Sequence, residues 1–293
     1  MNYRHQFHAG NFADVMKHVL LLQLMRGMQR KEKGFLYLDT HAGRGRYDLS
    51  AAARGDSLAR KPEHPDGIGR LLGAVGGELP APVTEYLRVV RAFDGQPVDG
   101  DGEGLELRAY PGSPWIVEAV SREQDRLALC EKHPEEAAIL KEEFSHKRRV
   151  TVHAMDGYTA VRAMLPPLEK RALVLIDPPF EVQNEFAQIV DAVAEGLRRM
   201  SGATFAVWYP LTERARVDEF LFKLEGLRPP PCFAAELTIA GEHAPMKLKG
   251  CGLAVVNPPW QLDREIAPVL DVLATRLAQA PGGVGRLRWI VND

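Results

Sequence analysis

A chain of 293 residues, 45% hydrophobic and 26% charged, can bury a large core as one elaborated domain or two. Its formal net charge of -2 excludes nucleic-acid binding by bulk basicity, so a polynucleotide would have to be met by a local patch. Cys130, Cys232 and Cys251 are scattered and form no C-x-x-C pair, so neither a disulfide framework nor a zinc site is suggested, and the early apolar run Val19 to Met25 is too short to span a membrane. A soluble, cytoplasmic protein is expected.

Met1 to Asn11 is a polar and aromatic arm, and Asn11 is placed to cap a predicted helix running through Asp14, Lys17 and His18 to about Arg30. His5 and His8 lack a third ligand nearby, so no metal is expected. Tyr3 and Arg4 are available to touch a polynucleotide, or form a terminal tail with no role. Phe35 to Asp39 is the first clear strand and runs into Thr40-His41-Ala42-Gly43-Arg44-Gly45-Arg46-Tyr47. A strand, a G-x-G turn and then a helix would form a nucleotide-cofactor loop, because glycines let the backbone approach a ligand closely. Asp48 stands where the dinucleotide fingerprint needs its third glycine, which argues against a nicotinamide enzyme.

From Ala51 to about Leu107 the chain is rich in Gly, Pro and Asp around two helical patterns, near Ile68 to Val75 and Val83 to Phe93. It reads as an inserted, mostly helical subdomain. Ser113 is a good N-cap for a helix with Pro114 as its first residue. Strands Arg126 to Cys130 and Val150 to His153 follow, separated by helices near Glu135 to Phe144 and Tyr158 to Met164, which makes a βαβ series with a parallel sheet.

Ala172-Leu173-Val174-Leu175-Ile176 is apolar throughout and bounded by a double proline, the pattern of a central parallel strand buried on both faces. It carries Asp177 to its carboxyl end, with Pro178, Pro179 and Phe180 after it. An aspartate, two prolines and an aromatic suit a planar amine: the carboxylate and a backbone carbonyl accept its N–H bonds while the ring stacks on its face. The plainer reading is a helix cap. Asn257-Pro258-Pro259-Trp260 repeats the pattern after a later apolar run. Beyond Phe180 the predicted elements are a helix near Glu185 to Met200, a strand at Thr204 to Trp208, a helix near Glu213 to Leu224, an antiparallel strand pair near Phe233 to Ile239 and Gly252 to Val256, a helix near Glu265 to Ala278 and a short strand at Leu287 to Val291.

Asp39, Glu131, Asp156 and Asp177 each stand at or just past the carboxyl end of a predicted strand, in one row along one rim of the sheet. Each alone also reads as a helix cap. Together they suit S-adenosylmethionine, whose sulfonium is positive. Glu131 is placed for the ribose hydroxyls, Asp156 for the adenine amino group, and the Gly43/Gly45 loop for the methionine part.

Tyr3-Arg4-His5, Phe7 to Asn11, Ala13-Asp14, Lys17-His18, Leu36 to Gly43 with Gly45, Tyr110 to Pro114, Asp156-Gly157, Leu175 to Pro179, Trp208-Tyr209-Pro210 and Asn257 to Trp260 together closely resemble the RlmJ-type methyltransferases. That family modifies the N6 of one adenine, position 2030 in the usual RNA numbering, of bacterial 23S rRNA. The resemblance implies an α/β fold: a Rossmann-like class I S-adenosylmethionine-dependent methyltransferase sheet. Residues 1–50 would supply the arm, first helix, first strand and cofactor loop; 51–107 the helical insertion; and 108–293 the remainder. It further implies that His18, His41, Ser113, Glu131, Asp156, Gly157 and Asp177 line the cofactor site, with Asp177 as catalytic acceptor, and that Tyr3 contacts RNA. The family often has tyrosine where this chain has Phe180.

The expected enzyme binds S-adenosyl-L-methionine, acts on free 23S rRNA before assembly and works as a monomer. Asp177 and the Pro178 carbonyl would hold the flipped amine and Phe180 would stack on its base. Arg44/Arg46, Lys147-Arg148-Arg149 and Lys247/Lys249 are candidate contacts to the RNA backbone, or ordinary solvated faces. A DNA adenine methyltransferase, a silent RNA- or cofactor-binding assembly factor and a protein glutamine methyltransferase stay open as alternatives.

Overall fold

The computed structural model describes residues 5–50, 61–73, 78–97 and 106–292. Helix α1 (Phe12–Gln29) opens the chain, and the Asn11 side chain caps it by accepting from the backbone N–H groups of Ala13 and Asp14 at 3.0 and 2.9 Å. Its Val, Leu and Met residues point in every direction and nearly all are buried, so it packs as an interior helix between sheet and insertion. Strand β1 (Leu36–Asp39) follows, then the short strands β2 (Arg46–Asp48) and β3 (Ala109–Pro111), which pair antiparallel and bracket the insertion.

This corrects one expectation. The glycine turn after β1 leads into β2, not directly into a helix. A three-residue strand is too short to show alternation in sequence and is held by pairing with residues far along the chain. Within the insertion lie α2 (Ile68–Leu72) and α3 (Ala81–Phe93).

The remaining elements alternate: α4 (Ser113–Glu118), β4 (Arg126–Glu131), α5 (Pro134–Glu143), β5 (Val150–Ala154), α6 (Gly157–Met164), β6 (Ala172–Ile176), α7 (Glu185–Arg199), β7 (Thr204–Pro210) and α8 (Arg214–Gly226). The chain ends in β8 (Cys232–Thr238), β9 (Gly250–Val256), α9 (Leu262–Leu277) and β10 (Val284–Val291). The main sheet runs β10-β8-β9-β7-β6-β1-β4-β5, with β7 to β5 parallel and β8, β9 and β10 joined antiparallel at the other side. It is a mixed α/β fold with a Rossmann-like run of parallel strands at its centre.

Side chains alternate across the sheet and build two cores. Tyr37, Leu129, Leu173 and Leu175 pack with α1, α9 and the insertion, whereas Leu36, Leu38, Val174 and Ile176 pack with α6, α7 and α8. Each full burial of a Leu, Ile or Val contributes about 1.5–3 kcal/mol, so both faces of β6 are strongly specified. Connections from β1 leave in opposite directions, to β4 on one side and later to β6 on the other, and the crevice at the carboxyl ends of β6, β1 and β4 is the place such a sheet reserves for ligands.

Two helical glycines test this packing. A Cβ on Gly196, in α7, would lie 2.4 Å from Phe205 Cζ, whereas one on Gly226, at the end of α8, would meet nothing within 4 Å. G196A should lose about 1–3 kcal/mol to overpacking, and G226A should gain up to about 1 kcal/mol of helix propensity. Urea denaturation checks the opposite signs; shifts of equal sign would refute the packing argument.

Candidate active site

The rim where β1, β4, β5 and β6 end gathers the acids. Asp39 is the last residue of β1, Glu131 the last of β4, Asp177 directly follows β6, and Asp156 lies just past β5. They have different partners. The Asp156 side chain caps α6, accepting from Thr159 N at 3.0 Å, with Lys132 Nζ at 3.3 Å. Although burial raises its pKa, the Thr159 amide and Lys132 hold it below the ordinary value. Asp177 does not cap a helix: α7 starts at Glu185, and the Asp177 partner is Lys17.

Lys17 reaches Asp177 from α1. Its ammonium lies 2.6 Å from Asp177 Oδ2 and 2.8 Å from Asp14 Oδ1, one helical turn back. Side-chain exposure is 6% for Lys17, 4% for Asp14 and 17% for Asp177, so the triad is nearly dry and only Asp177 faces outward. Burial pulls the Lys17 pKa down, but the Asp14 and Asp177 carboxylates overcome this and hold it well above its ordinary value. Asp14 Oδ2 also accepts from Gly10 N at 3.0 Å, and Gly10 has φ +76°, a conformation suited to glycine.

After β1, Gly43 and Gly45 adopt φ +61° and +81°. A Cβ on Gly43 would sit 2.4 Å from the Tyr47 hydroxyl, which accounts for glycine there. Glu131 ties the loop to β4: Oε2 accepts from Gly43 N at 2.9 Å and Oε1 from His133 N at 2.7 Å. Each of these oxygens retains a second lone pair for a ligand hydroxyl. Gly157 opens α6 directly against the backbone after β1, since a Cβ there would lie 2.0 Å from Thr40 O.

Ser113 corrects a further expectation. Gly112 is the N-cap of α4 and Ser113 lies inside the helix, because its hydroxyl donates instead to Asp39 Oδ2 at 2.7 Å. Tyr37 OH donates to the same oxygen at 2.9 Å and His41 N to Oδ1 at 3.3 Å. The His41 ring lies 2.8 Å from Thr40 Oγ1 through Nδ1 and makes an edge contact with Tyr158. Burial lowers its pKa to about 4 against the pull of Asp177 and Asp156, so the ring is neutral at neutral pH. His18, next to Lys17 on α1, lies beside Tyr110 with Nδ1 2.9 Å from its hydroxyl.

Pro178 is buried and Phe180 half-buried. Phe180 has φ +51°, a strained backbone for an aromatic residue, and its ring makes edge contacts with Phe186 at 5.0 Å and Trp208 at 5.8 Å. Asn257 to Trp260 lies at the opposite rim. β9 runs antiparallel to β7 and pairs Val256 with Phe205, so its carboxyl end faces away from Asp177. Tyr3 and Arg4 lie outside the described residues.

Sequence reasoning gave no role to Lys17, Asp14 or Trp208. The Asp14-x-x-Lys17 spacing at a capped helix start was a usable signal; the pairing with Asp177, 160 residues away, has no local one. Each candidate basic cluster has members with internal partners. Arg44 Nε lies 2.7 Å from Glu136 Oε2, Arg46 lies over Phe93, Lys147 pairs with Glu118, and Lys249 reaches the Glu242 carbonyl. Among the described residues no cluster of three or more His, Cys, Asp or Glu is arranged to hold a metal ion, and no helix is long and apolar enough to cross a membrane.

Burial pushes Asp39 from 3.8 up to about 6, while Ser113 and Tyr37 pull it down. The folded pKa exceeds the unfolded one, so this carboxyl's contribution to stability is fully present below the unfolded value and is lost as pH rises through about 6. Wild type should therefore lose about 2–3 kcal/mol relative to Asp39→Asn between about pH 4 and pH 7. Urea denaturation at the two pH values measures this; a pH-independent difference would contradict it.

The family described as ribosomal RNA large subunit methyltransferase D, RlmJ, matches residues 32–291. The chain is 36% identical over 293 residues, all of both chains, to ribosomal RNA large subunit methyltransferase J of Escherichia coli, and 37% identical over the same full length to that of Haemophilus influenzae. A crystal structure from Legionella pneumophila superposes with a TM-score of 0.83 at 34% identity, covering 96% of this chain and 98% of that one. The motif resemblance is thereby borne out: this chain belongs to the RlmJ family.

Proposed function

We propose that this protein transfers the methyl group of S-adenosylmethionine to the N6 amino group of one adenine in 23S rRNA. The reading rests on one observation above all: a carboxylate at the end of the central strand, followed by a buried proline and an aromatic ring braced on Trp208, with one carboxylate oxygen held by a buried ammonium. Family membership and the names of the full-length relatives support ribosomal RNA as substrate.

The residues fit the cofactor. The Gly43/Gly45 loop and Gly157 let backbone come close, Glu131 keeps acceptor capacity, and the triad of Asp14, Lys17 and Asp177 carries a net charge of -1 when fully ionised. His18, His41, Gly43, Ser113, Glu131, Asp156, Gly157 and Asp177 would line its site. S-adenosylmethionine supplies an electrophilic methyl group on a positively charged sulfur.

The adenine amine is a poor nucleophile because its lone pair is delocalised into the ring. Asp177 and the Pro178 carbonyl accept its two N–H bonds and favour a more tetrahedral nitrogen that can attack in line. Lys17 occupies Asp177 Oδ2; among the described residues Oδ1 has no partner and is the oxygen available to the amine. Phe180 stacks on the base once it has left its helix, returning about 1–3 kcal/mol. Positioned acceptors of this kind are worth about 10²–10⁴ in rate. The arm with Tyr3 and Arg4 would add RNA contacts.

Labelled methyl transfer to protein-free 23S RNA and to DNA, with the product nucleoside identified, tests the reading. N6-methyladenosine at one RNA site is expected, reduced at least about 10²-fold in Asp177→Asn. Lys17→Met should lower kcat with less effect on cofactor affinity. Phe180→Ala should lower kcat/KM for RNA by about 5- to 150-fold, and Phe180→Tyr should stay near wild type. Transfer to DNA alone, or full activity in Asp177→Asn, would sink the assignment.

A further inference from the structure

The insertion between β2 and β3 reaches α1 through a buried chain of polar atoms. The Tyr86 hydroxyl, from α3, lies 2.8 Å from the Tyr110 hydroxyl of β3, which in turn lies 2.9 Å from His18 Nδ1. The Tyr110 ring also stacks on the His18 ring at 5.7 Å. Both tyrosines are fully buried and His18 nearly so. In so dry a place each proton needs an acceptor, and the geometry decides where each goes.

Burial holds both phenols in their protonated form. The pair can donate either way; donation from Tyr86 to Tyr110 is the arrangement that gives the Tyr86 proton an acceptor, since the Tyr110 oxygen is its hydrogen-bond neighbour among the described residues. The Tyr110 proton is then directed to the other neighbour, His18 Nδ1. A ring nitrogen that accepts carries no proton, so a His18 ring accepting at Nδ1 holds its proton on Nε2.

We propose that Tyr86 is a positioning residue of the cofactor pocket: acting through Tyr110, it fixes His18 as the Nε2–H tautomer, and the imidazole can then offer a ligand only a donor at that nitrogen. S-adenosylmethionine carries one anionic group, its amino-acid carboxylate, and that is the group such a donor suits. The inference rests on the placement of His18 in the cofactor pocket made above. It gives the insertion a part in cofactor binding through a single hydroxyl that touches no ligand.

Tyr86→Phe keeps the ring and removes the hydroxyl. Tyr110 is then free to accept from Nδ1–H as well as to donate, and the two tautomers mix. The test uses full-length protein labelled with ¹⁵N-histidine, the His18 signals being identified by their loss in His18→Ala. Calorimetry with S-adenosylmethionine and a thermal midpoint are run on the same samples. Wild type should show the Nε2–H tautomer. Tyr86→Phe should show a fraction with the proton on Nδ1 and bind the cofactor about three- to tenfold more weakly, with kcat at saturation within about twofold.

Tyr110→Phe should act in the same direction, and adding Tyr86→Phe to it should change cofactor affinity little further, the mark of one shared path. A merely structural hydroxyl would lower the midpoint and leave the tautomer alone. An Nδ1–H tautomer in wild type overturns the relay. So does a Tyr86→Phe protein with unchanged tautomer and affinity while His18→Ala binds weakly. Unchanged affinity in His18→Ala would instead overturn the placement of His18, and the role of Tyr86 in cofactor binding with it.

Discussion

Lys17 carries its charge inside the protein, between Asp14 on its own helix and Asp177 at the end of the central strand. Taking an ammonium and two carboxylates out of water costs several kcal/mol per ion, and only close contact among them offsets it. The contact therefore cannot relax by much. Loss of one partner from such a buried set typically costs about 3–5 kcal/mol, more than many single packing defects. Asp14 is further held by the Gly10 amide, and Asn11, which caps the same helix, reaches Glu63 at the edge of the insertion at 2.8 Å. One charge thus registers the chain's first turn, its first helix and β6 against each other.

Around that point the sheet supplies position and glycine supplies access. Because β6, β1, β4 and β5 run parallel, the residues that follow them converge on one rim without any local sequence relation. Thr40 N bonds Leu175 O at 3.1 Å and Ala42 N bonds Cys130 O at 2.9 Å, so the loop after β1 stays pinned to both neighbouring strands for three residues past its end. The acids divide their tasks. Asp39 is wholly internal and organises Ser113, Tyr37 and His41; Glu131 holds the glycine loop; Asp156 starts a helix; Asp177 faces the crevice. Equal placement in sequence does not mean equal exposure: Asp39 is sealed inside, whereas Asp177 keeps 17% of its side chain open.

Much of this was legible in the sequence where one local rule governs. The five apolar residues of β6 and the double proline marked a central strand, and Asn11 marked a helix start, because burial on both faces and capping are written in adjacent residues. Legibility ended where a distant partner decides. The β2–β3 ribbon exists only through pairing across the insertion, Ser113 is drawn away from capping by Asp39, and Lys17 has a partner 160 residues on. The two proline-proline motifs look alike in sequence. Strand direction alone separates them: β6 delivers Asp177 to the crevice, while β9 delivers Asn257 to the far rim, where Pro259 packs on Gly27 of α1.

The separation between Lys17 and Asp177 also bears on the order in which the protein can be completed. When α1 and β1 have left the ribosome, β6 has not been made, and β1 lacks the neighbour on one side. Until residue 177 emerges, the ammonium has only Asp14 to neutralise it and has every reason to stay hydrated. A chain of the first half therefore lacks the second carboxylate against which α1 closes in the finished fold. Lys17 can meet its second carboxylate only once β6 has been made, so α1 and the end of the central strand are fixed against each other only when both are present.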